Sequence, residues 1–330
     1  MSCPSSSRAF DMFLEAVSVV TAFGAGVLFG MWWVPYQKRR GITSRDIYKG
    51  IDGVPRAGGL IALVAAAVGY GIISASVWAA VPLLVVALAI GLLGLVDDLR
   101  GVHEYARVLF PVLLAFVLAR AVDVRLTIPA VGLFYGATGW LAVLAIPVMT
   151  NAFNMLDPVN GFLPAANVAV AASLAAVAAV RGQVDAVYLL MIHIAASLAL
   201  YLYNKYPAKT FNGNVGSYFL GASLSTLAVL YDLVPYLILA GLPFVVNGAL
   251  IIFSSGGIKA REKIARPTYL RDGVVHQDCS SPIISLVRVA VSDRPMGEYD
   301  VFKTLTVAVA ASSALTAALA FFLGLLDMPI

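Results

Sequence analysis

Long apolar runs dominate the chain, and short polar segments separate them. A helix that crosses a bilayer needs about 20 apolar residues, and ten runs are close to that length. They fall at 12–34, 58–78, 80–96, 107–122, 139–156, 162–180, 186–203, 215–232, 234–254 and 303–326. The pattern predicts an all-α polytopic membrane protein with about ten helices in one transmembrane domain, 1–330. Nine or eleven spans are the alternatives, because 58–96 and 215–254 continue with little polar interruption.

Composition supports this prediction and excludes several other classes. Hydrophobic residues make up 61% of the chain and charged residues only 12%, whereas soluble domains have roughly 45–50% apolar and 25% charged residues. These values exclude a soluble enzyme, a disordered chain and a nucleic-acid-binding protein. The two cysteines, Cys3 and Cys279, have no Cys/His spacing typical of a zinc site or a disulfide framework.

The distribution of basic residues predicts the orientation. Only Arg8 precedes the first run, whereas Lys38, Arg39 and Arg40 follow it, so the N-terminus is expected outside. Ten spans threaded from there place 18 of the 22 Lys and Arg residues inside. The inner segments are 35–57, 97–107, 157–161, 204–214 and the long loop 255–303. We expect both termini outside, and a prokaryotic cell membrane as the location.

An aspartate pair, Asp97-Asp98, ends the third run at the predicted inner surface. Acidic residues near lipid are costly and usually face a polar cavity where they have a function. One carboxylate can bind a cation while its neighbour accepts a proton, so the pair is a candidate for catalysis. The alternative is a solvated helix end with Arg100 as the partner.

A cluster of amides and one carboxylate follows the fifth run. Asn151 and Asn154 are three residues apart and share a helix face. Pro158 disfavours helical geometry at Asp157, so the helix is expected to end there, before Asn160. These oxygens are candidates to bind a nucleobase, a sugar or a metal ion. Interhelical hydrogen bonding is the alternative.

The segment 204–217 contains a second polar cluster that leads into the eighth run. Its glycines allow close backbone approach, and the next helix is expected to offer free N–H groups to an anion. Lys209 adds positive charge, and Phe211 could stack on a planar base. A plain Gly/Asn turn is the alternative reading.

Two further segments are basic. Lys49 and Arg56 lie before Gly58-Gly59, and either could meet phosphate, although an ordinary positive-inside loop explains them equally well. The long loop could clamp a diphosphate or contact anionic lipid headgroups. The candidate residues, from the first half of this loop, are Lys259, Arg261, Lys263, Arg266, Arg271 and His276.

Taken in order, these motifs resemble the polyprenyl-phosphate N-acetylhexosamine-1-phosphate transferases. The family includes the bacterial phospho-MurNAc-pentapeptide transferases and the dolichyl-phosphate GlcNAc-phosphotransferases of archaea and eukaryotes. The resemblance covers nearly the whole chain, and its specific parts are Asp97-Asp98, 151–161 and 211–217. It implies ten helices, a cytoplasmic active site, Mg²⁺ or Mn²⁺ as cofactor, and transfer of a sugar phosphate from a UDP-activated N-acetylhexosamine to a polyprenyl phosphate. In the dolichyl branch, the resemblance implies UDP-GlcNAc and a dolichyl-type phosphate as substrates, in an archaeal-like cell membrane. It also suggests a homodimer.

The resemblance assigns roles by position. Lys49, Asp97 and Asp98 match phosphate-handling and catalytic positions, while Asn154 and Asn214 match metal positions that Asp157 could complete. Asn160 and Phe211 match positions that hold the uridine. The remaining expected substrate-binding residues are Asn151, Lys209, Arg261, Lys263, Arg266 and His276.

Two departures from the family pattern bear on metal binding and on the branch of the family that the chain resembles. Asn214 stands where many members have aspartate, so metal affinity should fall unless other carboxylates compensate. The long loop lacks the histidine triplet of the MurNAc-pentapeptide enzymes, and its basic opening favours the dolichyl branch. The alternatives are a MurNAc-pentapeptide-type donor and, from another class, a transporter or lipid scramblase.

Overall fold

The computed structural model describes residues 5–134, 139–257, 264–326 and 328–330, with side chains from residue 13 onward. Within these ranges the chain is mainly helical, as a lipid environment requires of backbone that must satisfy its own hydrogen bonds. The helices are α1 (Ser5–Arg40), α2 (Leu60–Ile73), α3 (Ala80–Arg100), α4 (Glu104–Ala121), α5 (Ala145–Met155), α6 (Phe162–Val180), α7 (Val184–Asn204), α8 (Gly213–Leu230), α9 (Val234–Ala240), α10 (Leu242–Ser255), α11 (Leu286–Ala290) and α12 (Glu298–Leu325).

Each predicted apolar run contains one helix or a pair of helices. Five helices are long and apolar enough to cross a membrane: α1, α3, α6, α7 and α12. The pair α9 and α10, bent by 77° at Gly241, brings the number to six in the described part of the chain. Helix α2 and the stretch Gly139–Met155 are apolar but shorter. A polytopic membrane protein is therefore confirmed, while ten spans stay a prediction.

Helix α8 forms the centre of the bundle. Its residues from Val215 to Val229 are all buried, and it packs against α3, α5, α2 and α7. Small residues make this possible, because a Cβ added at Gly221 would lie 2.8 Å from the Cα of Thr150. Such small-residue contacts are typical of helices packed within membranes.

Three small antiparallel sheets correct the all-α expectation. Strand β1 (Thr43–Asp46) pairs with β2 (Ile51–Pro55), and β3 (Leu126–Ile128) pairs with β4 (Gly132–Phe134). In the long segment, β5 (Thr268–Arg271), β6 (Val274–Gln277) and β7 (Met296–Gly297) form the third sheet, which we call the loop sheet. Asp272 and Gly273 join β5 to β6 with positive φ angles of 52° and 76°. Two positive φ angles define the type I′ turn that favours hairpins.

The C-terminal end of α8 is fixed by a buried acid, Asp232. Its carboxylate accepts hydrogen bonds from the Thr127 N–H at 2.7 Å, from the Thr127 hydroxyl and from the Arg181 guanidinium at 3.0 Å. The side chains of Asp232 and Arg181 are only 10% and 14% exposed. This ion pair ties β3 and the connection after α6 to the end of α8.

Candidate active site

A polar cavity of about 260 Å³ lies at the opposite end of α8, where that helix begins. Three connections build its wall: β1 with the turn after it, the link between α5 and α6, and the link between α7 and α8. Five residues that the sequence motifs single out line this one cavity, namely Asn154, Asp157, Asn160, Phe211 and Asn214. The structure therefore brings together motifs that are up to 60 positions apart in the chain.

The cavity depends on a close approach between the N-termini of α2 and α8. The Gly58 N–H donates to the Phe211 carbonyl at 2.8 Å, and the Gly59 N–H donates to the Asn212 carbonyl at 2.7 Å. A Cβ added at Gly59 would lie 2.1 Å from both Cα and N of Gly216. Only a residue without a side chain fits there, which explains why Gly58-Gly59 opens α2.

The aspartate pair holds this end of α8 in place. The two carboxylate oxygens of Asp98 accept hydrogen bonds from the N–H groups of Asn214 and Val215, each at 2.9 Å. Asp97 accepts hydrogen bonds from Arg107 at 2.8 Å and from the Asn214 side-chain amide at 2.9 Å. The prediction that the start of α8 offers free N–H groups to an anion is therefore wrong for Asn214 and Val215. The carboxylate of Asp98 already accepts both hydrogen bonds.

Oxygen atoms from the end of α5 and from the α5–α6 link face the cavity beside the capped helix. The Asn154 side-chain oxygen accepts a hydrogen bond from the Ser217 hydroxyl at 2.9 Å, and the Asp157 carboxylate accepts one from the Asn212 amide at 2.8 Å. Burial raises the pKa of Asp157 to about 6, although the hydrogen bonds from Asn212 and the Leu163 N–H favour its ionised form. A cation in the cavity would favour that form further.

An ion cluster closes the cavity wall on the side of β1. The Lys49 ammonium lies 2.8 Å from the Asp46 carboxylate and 2.6 Å from that of Glu298. Asp46 lines the cavity, whereas Lys49 and Glu298 lie behind it. The Asn160 amide donates to Asp46 at 3.3 Å, and the Asn160 N–H donates to Glu298 at 3.2 Å. The cluster thus joins the turn after β1, the α5–α6 link and the start of α12.

The pKa values in this cluster follow from its ion pairs. Burial alone would raise the pKa of Asp46, but hydrogen bonds from Lys49, its charge and the Asn160 amide lower that pKa below its ordinary value. Burial alone would lower the pKa of Lys49, but its two carboxylate partners raise it above its ordinary value. The charged forms of both groups are therefore favoured.

The donor set fits a hard cation that arrives with its own oxygen ligands. The described residues contain no group of three or more His, Cys, Asp or Glu side chains arranged to hold a metal. The cavity instead offers the carboxylate of Asp157 and the amide oxygens of Asn154 and Asn214, whereas its second carboxylate, Asp46, is paired with Lys49. Mg²⁺ commonly binds to one or two carboxylates together with substrate phosphates, so these residues suit it.

Several expected substrate-binding residues do not line the cavity. The Asn151 amide turns back to the Pro147 carbonyl at 2.8 Å in its own helix, and Lys209 and Arg266 are exposed. His276 stacks on Tyr269 within the loop sheet, with ring centroids 5.2 Å apart. Arg261 and Lys263 lie outside the described residues.

Other residues in the site were not predicted as site residues. Asp46, Asn204 and Asn212 line the cavity, and Glu298 supports it from behind. The first three stand within motifs that the sequence analysis uses, so their proximity to Lys49, Lys209 and Asn214 is the signal that could have identified them. No local signal marks Glu298, because its partner Lys49 is 249 positions away.

Comparison with known proteins agrees with these features. The family model of glycosyl transferase family 4 matches residues 80–232, which run from α3 to the end of α8. A Sulfolobus acidocaldarius protein assigned as a UDP-N-acetylglucosamine–dolichyl-phosphate N-acetylglucosaminephosphotransferase is 29% identical over 249 residues, covering 70% of this chain and 75% of that protein.

Bacterial relatives show the same likeness. A phospho-N-acetylmuramoyl-pentapeptide-transferase of Lacticaseibacillus paracasei is 27% identical, over 75% of this chain and 85% of the relative. A Bacillus subtilis protein assigned as an undecaprenyl-phosphate N-acetylglucosaminyl 1-phosphate transferase is 29% identical, over 65% of this chain and 63% of the relative.

Fold and site together define a polytopic membrane enzyme with a polar cavity at one end of its helical bundle. Residues 80–232 match the model of glycosyl transferase family 4, and the relatives that extend beyond this segment are sugar-phosphate transferases by name. The resemblance to the polyprenyl-phosphate N-acetylhexosamine-1-phosphate transferases is thereby confirmed.

Proposed function

We propose that this protein transfers N-acetylglucosamine 1-phosphate from UDP-GlcNAc to a polyprenyl phosphate of the dolichyl type. The products are a polyprenyl diphosphate that carries GlcNAc, and UMP. The observation that carries the proposal is the cavity beside the N-terminus of α8, which gathers Asn154, Asp157, Asn160, Phe211 and Asn214 at one end of an apolar bundle. Such a position suits a soluble donor that meets a membrane-bound acceptor.

Charge repulsion is the first obstacle to this reaction, because both substrates carry phosphate. Two cations close to the site are already paired, Arg107 with Asp97 and Lys49 with both Asp46 and Glu298. Arg45 lines the cavity, but its side chain is exposed and lies 3.8 Å from Asp52. Bound Mg²⁺ or Mn²⁺ would supply the missing positive charge and polarise the diphosphate. Asn154, Asp157 and Asn214 are the residues that we expect to hold the ion.

The reaction itself is a displacement at phosphorus. An oxygen of the lipid phosphate attacks the β-phosphorus of UDP-GlcNAc, and the bond from that phosphorus to the bridging oxygen breaks, so that UMP leaves with the oxygen. A phosphate monoester has a second pKa near 6 and is already largely dianionic at neutral pH. Positioning therefore contributes more than proton removal.

The roles of this chain's residues follow from their contacts. Phe211 and Asn160 hold the uridine. Asp98 fixes the start of α8 and thereby the backbone of Asn214, and Asp97 fixes the Asn214 side chain. Lys49 reduces the negative charge of the wall by pairing with Asp46, and it reaches a phosphate only if one carboxylate partner is exchanged.

The topology belongs to the same proposal. Ten spans, with both termini outside and the cavity on the cytoplasmic side, place most Lys and Arg residues inside. An archaeal-like cell membrane and a homodimer remain part of this prediction. A transporter is less well supported, because its binding site would be expected near the bilayer midplane, whereas this cavity lies at the end of α8.

The decisive experiment measures UMP release by the purified full-length protein. UDP-GlcNAc, dolichyl phosphate and Mg²⁺ are supplied together, and UDP-GalNAc and UDP-MurNAc-pentapeptide are tested in parallel. We expect UMP only with lipid phosphate and divalent metal present, and fastest from UDP-GlcNAc. A faster reaction with UDP-MurNAc-pentapeptide would overturn the donor assignment, and no UMP from any donor with folded protein would overturn the transferase.

A further inference from the structure

The ion cluster behind the cavity wall contains an acid outside the segment that the family model matches. Glu298 is the first residue of α12. We propose that Glu298 is a positioning residue for the nucleotide-binding wall, acting through Lys49 and the Asn160 backbone. The inference rests on the proposed function, since the wall is assigned there to the uridine of the donor.

Each carboxylate oxygen of Glu298 has a different partner. One oxygen lies 2.6 Å from the Lys49 ammonium, and the other accepts the Asn160 N–H at 3.2 Å. Glu298 is only 6% exposed, so its charge has little solvent to screen it. A single side chain thus sets the spacing between the turn after β1 and the α5–α6 link.

The same contacts reach the cavity through Asp46. Lys49 donates to the Asp46 carboxylate at 2.8 Å, and the Asn160 amide donates to the same oxygen at 3.3 Å. Asp46 and Asn160 both line the cavity, whereas Glu298 does not. Lys49 and Asn160 thus orient Asp46, and Glu298 holds both of them from the side away from the cavity.

Glu298 also connects the wall to the loop sheet. Strand β7 (Met296–Gly297) directly precedes it and pairs with β6 through Val275 and Met296. In the turn between β5 and β6, a Cβ at Gly273 would lie 3.5 Å from the Tyr48 carbonyl. The loop sheet therefore lies next to the turn after β1 in two places, at Gly273 and at Glu298, which follows β7 and contacts Lys49.

The test compares Glu298→Gln with Asp300→Asn in the full-length protein. Glutamine keeps an oxygen for the Asn160 N–H but loses the charge that holds Lys49. Asp300 is an exposed acid two residues further along α12, 3.6 Å from Lys303, and serves as the matched control. We expect Glu298→Gln to raise KM for UDP-GlcNAc about tenfold with kcat changed less than about threefold, and Asp300→Asn to change neither. A fall in kcat at unchanged KM would mean a merely structural role and would overturn the inference.

A second readout does not depend on transferase activity. Amine labelling followed by mass spectrometry measures the accessibility of Lys49, whose side chain is 17% exposed, against exposed Lys209 as internal reference. We expect Lys49 to react more slowly than Lys209 in the wild type and to react faster in Glu298→Gln, but not in Asp300→Asn.

The two readouts separate the inference from the proposed function. If no UMP is released but Lys49 is labelled slowly in the wild type and faster in Glu298→Gln, the transferase is contradicted. The contact between Glu298 and Lys49 is then still supported. UMP release with Lys49 labelling and KM unchanged in Glu298→Gln would contradict the role of Glu298 and leave the transferase intact.

Discussion

The two ends of α8 carry similar chemistry with different consequences. At the C-terminal end, Asp232 is satisfied by Thr127 and Arg181 and joins three segments of the chain. At the N-terminal end, Asp98 is satisfied by two backbone N–H groups, but a polar cavity lies beside it. An acid that accepts hydrogen bonds from the chain's own N–H groups is common to both ends. The cavity and the oxygen atoms that line it are what distinguish the candidate active site.

This difference shows why burial of a charged group is weak evidence for function. A buried ion pair that is fully paired, such as Asp232 with Arg181, contributes to the arrangement of the connections. The N-terminal end of α8 adds acceptors such as Asn154 and Asp157, which face an open space large enough for part of a ligand. Experiments that disturb each end separately should therefore give different results.

The largest effect on activity is expected from Gly59→Ala at the contact between α2 and α8. The new Cβ would lie 2.1 Å from backbone atoms of Gly216, so the helices must separate. We expect at least about 3 kcal/mol of destabilisation, the upper end for overpacked cores, and loss of UMP release. Thermal unfolding and activity of the purified protein measure both.

Gly71→Ala is the control, because Gly71 lies in the same helix and a Cβ there meets nothing within 4 Å. Replacing glycine by alanine within a helix should stabilise it by roughly 0.5–1 kcal/mol. Equal stability and activity of the two variants would show that the close approach of α2 and α8 is not required.

The direct comparison of the two ends uses Asp98→Asn and Asp232→Asn. An asparagine at 98 can accept through only one oxygen and frees one N–H of α8, so turnover should fall by about tenfold to a hundredfold. Asp232→Asn leaves Arg181 without a charged partner and should cost about 3–5 kcal/mol of stability. Turnover per folded molecule should change less than about twofold in that variant.

Turnover must be normalised to folded protein for this comparison, for example by size-exclusion chromatography and the melting temperature. Full turnover in both variants would remove Asp98 from the catalytic assignment. An equal loss of turnover in both would mean that the two ends of α8 are not functionally distinct.

Much of the site could be predicted because its signals are local. Pro158 ends α5 near Asp157, and Gly161 has a φ of 80°, which the sequence signals as a turn. Gly58-Gly59 and Gly213 mark the places where backbones approach closely. The Asp272-Gly273 pair is also a local signal, since it is typical of a hairpin turn, whereas the basic composition of the long segment predicts only a charged loop.

The remainder of the site depends on tertiary contacts that no local pattern shows. The pair of Lys49 and Glu298 joins residues 249 positions apart. Asp98 caps α8 only because α3 packs against α8. This packing, which no local pattern shows, determines whether the first N–H groups of α8 are free. Helical spacing placed Asn151 on the face of Asn154, but the Asn151 amide bonds to Pro147 in its own helix.

A smaller effect should follow from Asn214→Asp at the N-terminal end of α8. The Asn214 amide donates to Asp97 at 2.9 Å, so an aspartate there would lose this hydrogen bond and repel Asp97 unless a cation lies nearby. We expect a lower melting temperature without metal, and a several-fold lower Mg²⁺ concentration for half-maximal activity. An unchanged Mg²⁺ titration would show that Asn214 is not a metal ligand.

The smallest effect is expected from Asn151→Ala. This variant tests whether every amide of the motif is required, or only the one that lines the cavity. The Asn151 amide bonds to the Pro147 carbonyl, whereas Asn154, one turn further along α5, lines the cavity and bonds to Ser217. Because both residues are amides on the same short helix, Asn154→Ala is a closely matched comparison. We expect Asn151→Ala to keep UMP release within about twofold and Asn154→Ala to lower it at least about tenfold, as loss of a positioned ligand would. The reverse order would mean that the active site uses Asn151 rather than Asn154, and that the cavity beside α8 is not where the donor binds.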